Sequence, residues 1–153
     1  MNATTPVSPL APESFPALPA VAGVRLATGA CGVKYEGRTD VLLAELAPGT
    51  TVAGTLTQSK TASAPVLWCK ECLPDGAARA LVVNSGNANA FTGGHGRKAV
   101  EGTVKAVADV LACRPHRVYA ASTGVIGEPM AYERIVEHLE GLGSDLAAAD
   151  TAA

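Results

Sequence analysis

Two short apolar runs with one amphipathic segment between them restrict this chain more than any other feature. Ala80-Leu81-Val82-Val83 is too uniformly apolar for a half-exposed strand and reads as a central strand. Residues 98–112 place Val100, Val104, Val107 and Leu111 on one helical face. Residues 118–121 then read as a second buried strand. Strand, helix and strand in that order predict a parallel pair joined by a right-handed crossover. A further helix is expected over residues 131–142, through Ile135, Val136, Leu139 and Leu142, with Gly143 as its stop.

The first half reads differently. Residues 40–46 and 51–57 are expected strands, the second rich in β-branched side chains. Residues 65–68 suit a third strand or a sheet edge. The expected class is therefore α/β, a mostly β N-terminal half followed by strand-helix-strand-helix. Residues 1–20 carry Pro6, Pro9, Pro12, Pro16 and Pro19 but no Lys or Arg. They read as an extended arm rather than a secretory signal, with one domain over residues 21–153.

Charge excludes some functions. Twelve basic against fourteen acidic residues give a formal net charge of −2 with no long run of either sign, so nucleic-acid binding lacks electrostatic support. No apolar stretch approaches the ~20 residues that span a bilayer. Four cysteines without an export signal suit a reducing, cytoplasmic setting.

Each strand of the crossover ends in a polar, glycine-bearing run. After the first come Asn84-Ser85-Gly86-Asn87-Ala88-Asn89, and after the second Ser122-Thr123-Gly124-Val125-Ile126-Gly127. By spacing alone, Thr123-Gly124 is a tight strand-to-helix turn. It is also a pair of donors, a hydroxyl and an unencumbered backbone N–H, of the kind that stabilises charge in acyl transfer. Asn84, Ser85, Gly86 and Asn87 read equally as a polar turn or as the lining of a substrate cleft.

Other motifs carry less. Residues 92–98 miss the phosphate-loop spacing because Ala99 follows Lys98. Cys69-Lys70-Glu71-Cys72 has no second ligand pair, so no metal site is expected. His95, His116 and His138 are scattered, and none pairs in sequence with a serine or cysteine nucleophile.

The two polar runs together resemble the glutamate N-acetyltransferase (ornithine acetyltransferase) family of arginine biosynthesis. Thr28-Gly29-Ala30-Cys31-Gly32-Val33-Lys34, Ser63-Ala64-Pro65-Val66-Leu67-Trp68-Cys69 and Gly76-Ala77-Ala78-Arg79-Ala80-Leu81 agree in order. The resemblance implies a self-processing, N-terminal-nucleophile-like αββα enzyme. It implies that Thr123 and Gly124 form an oxyanion hole, and that an acetyl group passes from N-acetylornithine to glutamate through a Thr of a second, β chain. It further implies an α2β2 assembly and no cofactor, with acetyl-CoA as a possible second acetyl donor.

The family's Thr-Thr-Asp-Thr and Ala-Thr-Met segments do not occur in this sequence, and Thr151 matches neither. On that resemblance, residues 21–153 are expected to correspond to most of the α portion, to lack a nucleophile, to be inactive alone and to expose an apolar face. Gly127-Glu128-Pro129-Met130 is tighter than the family's loop. The other readings are a related self-processing amidase or aminopeptidase, and a non-enzymatic small-molecule binding fragment.

Overall fold

In the computed structural model, residues 9–12, 14 and 19–148 are described. Most of the proline-rich arm and Thr151 lie outside these residues. Five strands form one mixed sheet: β1 (Val24–Gly29), β2 (Val41–Leu46), β3 (Ala80–Asn84), β4 (Val118–Ser122) and the two-residue β5 (Ala147–Ala148), in the order β4-β3-β2-β1-β5. β2 is antiparallel to β1 and β3, and β5 to β1, while β3 and β4 are parallel. The helices are α1 (Ala64–Cys72), α2 (Gly93–Val110) and α3 (Tyr132–Ser144). The expected α/β class and the strand-helix-strand-helix order of the second half are both present, and β3 is an interior strand.

Register decides which side chains share a face. Ala27, Leu43, Val82 and Ala120 lie side by side, as do Gly29, Val41, Asn84 and Ser122. This is the face covered by α2 and α3, with Val100, Val104, Val107, Ile135, Leu139 and Leu142 buried against it. On the opposite face, Leu26, Leu42, Leu81 and Val83 are only half-buried and Ala121 is exposed.

Three local expectations are corrected. Residues 65–68 belong to helix α1, because Ser63 is its N-cap and Pro65 falls in the first turn, where a missing N–H costs nothing and the fixed φ suits a helix. Of residues 51–57, only Thr51 makes a strand-like bridge, to Ala77. β-branched residues favour extended chain, but the remainder has no strand beside it to complete a ladder. Gly143 lies inside α3 rather than beyond it. A Cβ there would meet Val110 Cγ1 at 2.4 Å, so this glycine permits close packing of α3 on α2. In addition, α2 starts at Gly93, earlier than its periodicity indicates, since glycines hide the pattern of the first turn.

Helix α1 also closes the sheet edge. Trp68 Nε1 donates to the Val118 carbonyl at 2.8 Å and Cys69 Sγ to the Ala120 carbonyl at 3.3 Å. Both carbonyls belong to β4, so the helix satisfies edge acceptors that would otherwise recruit another strand. Among the described residues no helix is long and apolar enough to cross a membrane.

Candidate functional site

The carboxyl ends of the parallel pair β3 and β4 lie side by side, as the crossover requires, and their loops continue the pairing. Thr123 N–H donates to the Asn84 carbonyl at 3.0 Å, Val125 N–H to Gly86 at 3.1 Å, and Ala88 N–H to Val125 at 2.9 Å. The Gly124 N–H lies between two groups that both donate to the neighbouring loop. Neither it nor the Thr123 hydroxyl has a hydrogen-bond partner among the described residues. Both residues are exposed. The structure thus leaves two adjacent donors without a partner among the described residues at the end of β4, which is an edge strand buried only at Val118 and Tyr119 rather than the buried strand expected from the sequence.

Gly124 has φ of +130°, and a Cβ there would lie 2.3 Å from the Gly86 carbonyl carbon and 2.6 Å from Asn87 N. Glycine is required twice, by the backbone conformation and by contact with the Gly86–Asn87 peptide. The loops approach so closely because Gly86 itself has φ of +93° and packs against the stem of Lys34.

The polar run after β3 is structural in most of its atoms. Asn84 and Asn87 are buried, 4% and 2% exposed. Asn84 Nδ2 donates to the Asn87 carbonyl at 2.9 Å, and its Oδ1 accepts from the Ser122 hydroxyl at 2.6 Å. Asn87 Nδ2 donates to the Glu128 carbonyl at 3.1 Å, while its Oδ1 accepts from Asn89 N–H at 2.8 Å. Each of these two amides has both ends bonded inside the protein, which fits the polar-turn reading of this run. The Ser85 N–H donates to the Asp40 carbonyl at 2.8 Å.

A third loop, between β1 and β2, was not anticipated at the site. Asp40 is buried and accepts from Cys31 N–H and Val33 N–H, each at 2.7 Å. That loop carries Lys34 to an ion pair with Glu128, whose hydrogen bond raises the Lys34 pKa. The two residues are 94 positions apart, so no spacing in the sequence could signal the pair.

Other nucleophile readings find no support in the geometry. Burial pushes the thiols of Cys31 and Cys72 up to about 11 and raises those of Cys69 and Cys113, which keeps them protonated and unreactive near neutrality. His116 packs edge-on against Trp68, and His138 Nδ1 bonds the Arg134 carbonyl. Among the described residues no group of three His, Cys, Asp or Glu side chains could hold a metal ion. A cavity of about 390 Å³ lies between α1, residues 52–56 and the uncovered sheet face, reaching Ala121 and Ser122 next to Thr123.

Comparison with known proteins adds an independent line. The sequence profile of the ArgJ family matches residues 25–153. The arginine biosynthesis bifunctional protein ArgJ of Ruegeria pomeroyi is 56% identical over 149 residues, covering 95% of this chain and 36% of that protein. Its counterpart from Nitrobacter winogradskyi is 55% identical over 148 residues, with 94% and 36% covered. The chain thus spans 36% of the length of these curated relatives. The crystal structure of ornithine acetyltransferase from Mycobacterium tuberculosis, complexed with ornithine, shares the fold with a TM-score of 0.78 at 32% identity, over 82% of this chain and 68% of that one. That of the arginine biosynthesis bifunctional protein from Bacillus halodurans gives 0.72 at 29% identity, over 78% and 62%.

Proposed function

This chain belongs to the ArgJ family, and from that membership we propose that it supplies the oxyanion site of an acetyltransferase moving acetyl from N-acetylornithine to glutamate. The observation that carries the reading is the unused donor pair, Thr123 hydroxyl and Gly124 N–H, at the ends of β3 and β4.

The chemistry follows from those donors. A Thr at the amino terminus of a second, β chain attacks the acetyl carbonyl carbon, and its own amine takes the hydroxyl proton. The carbonyl π electrons move onto oxygen, where Thr123 and Gly124 donate hydrogen bonds to the negative charge. Collapse of this intermediate breaks the C–N bond, and ornithine leaves with the proton returned to its amine. The neutral amine of glutamate attacks the resulting acetyl ester, and the same two donors hold the oxyanion again. Its collapse breaks the C–O bond to the Thr, whose oxygen takes back, through the Thr amine, the proton given up by the glutamate nitrogen as N-acetylglutamate departs. The acetyl donor itself carries the reactive group, so the two half-reactions require no cofactor, and acetyl-CoA could enter as an alternative donor.

The sheet supports the division between chains. Leu26, Leu42, Leu81, Val83 and Ala121 belong to the apolar face that α2 and α3 leave uncovered and that α1 borders at its β4 side, a surface a second layer would cover. A β chain seated there would bring its nucleophile to the side of the sheet where Thr123 is exposed, in an α2β2 assembly within the cytoplasm.

Acetyl transfer from N-acetylornithine to glutamate tests the reading, with this chain alone and then together with the remainder of the polypeptide that its relatives carry. Activity only in the second case supports it. Activity from this chain alone overturns the two-chain site, and silence in both overturns the reaction.

A further inference from the structure

The two sides of Gly124 share one buried anchor. Asn84, 4% exposed, closes β3 on the helix-covered face, where its neighbours Val41, Leu43 and Val82 are apolar. A buried amide in such company is costly unless each end is bonded, and here each end is. Its Oδ1 accepts from the Ser122 hydroxyl at 2.6 Å, and its Nδ2 donates to the Asn87 carbonyl at 2.9 Å. A carbonyl only accepts, so the Asn87 contact fixes the orientation of the amide and obliges Ser122 to be the donor. The main-chain carbonyl of Asn84 meanwhile holds Thr123 N–H at 3.0 Å. One residue thus grips the residue before Thr123, the Thr123 peptide, and the loop pressed against Gly124.

We propose that Asn84 and Ser122 are positioning residues: they set the distance and direction of the Thr123 hydroxyl and Gly124 N–H without touching substrate. The inference rests on the acetyl-transfer reading and adds a mechanism for holding its donors. A preorganised site lowers the barrier only while its donors stay where the oxyanion will form. A hydrogen bond with one partner buried and the other half-buried holds them more stiffly than a fully solvated turn could.

Ser122→Ala cuts one strut and leaves Asn84 Oδ1 unpaired. Asn84→Asp keeps the acceptor for Ser122 but turns an oxygen on the Asn87 carbonyl. In the complete enzyme, each is expected to lower kcat by about 10- to 100-fold with KM within about twofold, because the donors act chiefly in the transition state. Ser122→Thr, which retains the hydroxyl, is expected to recover most of the rate. In a Thr123→Ala background the Ser122→Ala loss should shrink, since one donor it positions is gone. A rise in KM at constant kcat, or full additivity with Thr123→Ala, overturns the proposal. So does a Ser122→Ala enzyme as fast as the parent when Thr123→Ala is slow, and that result leaves the acetyl-transfer reading standing. A complete protein that transfers no acetyl, or that ignores Thr123→Ala, overturns both.

Discussion

Replacing Gly124 by alanine gives the sharpest test of how the site is held. The added Cβ would lie 2.3 Å from the Gly86 carbonyl carbon and 2.6 Å from both Asn87 N and Gly86 O. All three atoms are backbone, so no side chain can swing aside. Restoring ordinary contact requires the loops to separate by roughly 1 Å, a displacement that overpacked sites resist at about 1–3 kcal/mol. The positive φ adds about 1–2 kcal/mol for any residue with a Cβ, and alanine returns about 0.4–1 kcal/mol by restricting the unfolded chain. The expected loss is about 2–4 kcal/mol. Gly127 is the internal control: its φ is +83°, but nothing lies within 4 Å of an added Cβ. Gly127→Ala should therefore cost about 1 kcal/mol or less. Urea denaturation of the two variants, each in the chain completed by the remainder its relatives carry, should differ by about 2 kcal/mol. The same 1 Å shift of the Gly124 N–H should lower kcat by about 100-fold. Equal stability of Gly124→Ala and Gly127→Ala would refute the close-packing account.

Thr123→Ala should leave the denaturation midpoint nearly unchanged, because the exposed hydroxyl bonds nothing among the described residues, yet lower acetyl transfer by about 10²–10³. Helix α2 ends in a left-handed residue, Ala112 at φ +48°, with Cys113 N–H donating to the Ala108 carbonyl at 2.9 Å; Ala112→Gly is expected to raise stability by about 0.5–1 kcal/mol, measured in urea. The raised thiols set a pH dependence: above pH 9 the unfolded chain loses protons from Cys31 and Cys72 that the folded chain keeps to about 11. Stability should therefore fall between pH 9 and 11, and the Cys72→Ala variant should fall less steeply relative to its own value at pH 8. Trp68→Phe removes the donor to the Val118 carbonyl, and a loss of about 1–2 kcal/mol is expected by thermal unfolding; no loss would mean that the β4 edge does not depend on this bond.

Strong local signals in the sequence match the elements of the fold. The apolar run of β3 and the valine spacing of α2 identify their elements because burial at a fixed period leaves few alternatives. The failures share a cause. Ser63-Ala64-Pro65 is a helix start, but a short helix with a proline early in it looks like the edge of a strand when its turn toward β4 is unseen. Residues 52–57 have strand chemistry without a strand neighbour among the described residues, and no propensity reports whether a partner is there. At the site, Thr123 and Gly124 were legible as chemistry, a hydroxyl and a bare N–H next to each other. Asn84 and Asn87 were legible only as polar residues, because whether an amide faces a ligand or the interior depends on atoms far along the chain.

The sequence alone determined the strand-helix-strand unit and the likeness to one family. These follow from the order and periodicity of neighbouring residues, which the chain carries wherever it folds. Tertiary structure decided that Ser122 bonds Asn84 across 38 positions, that Lys34 reaches Glu128 across 94, and that Gly124 presses on the Gly86–Asn87 peptide. Those contacts exist only after the chain is folded, and among the described residues they leave the Thr123 hydroxyl and Gly124 N–H without a partner.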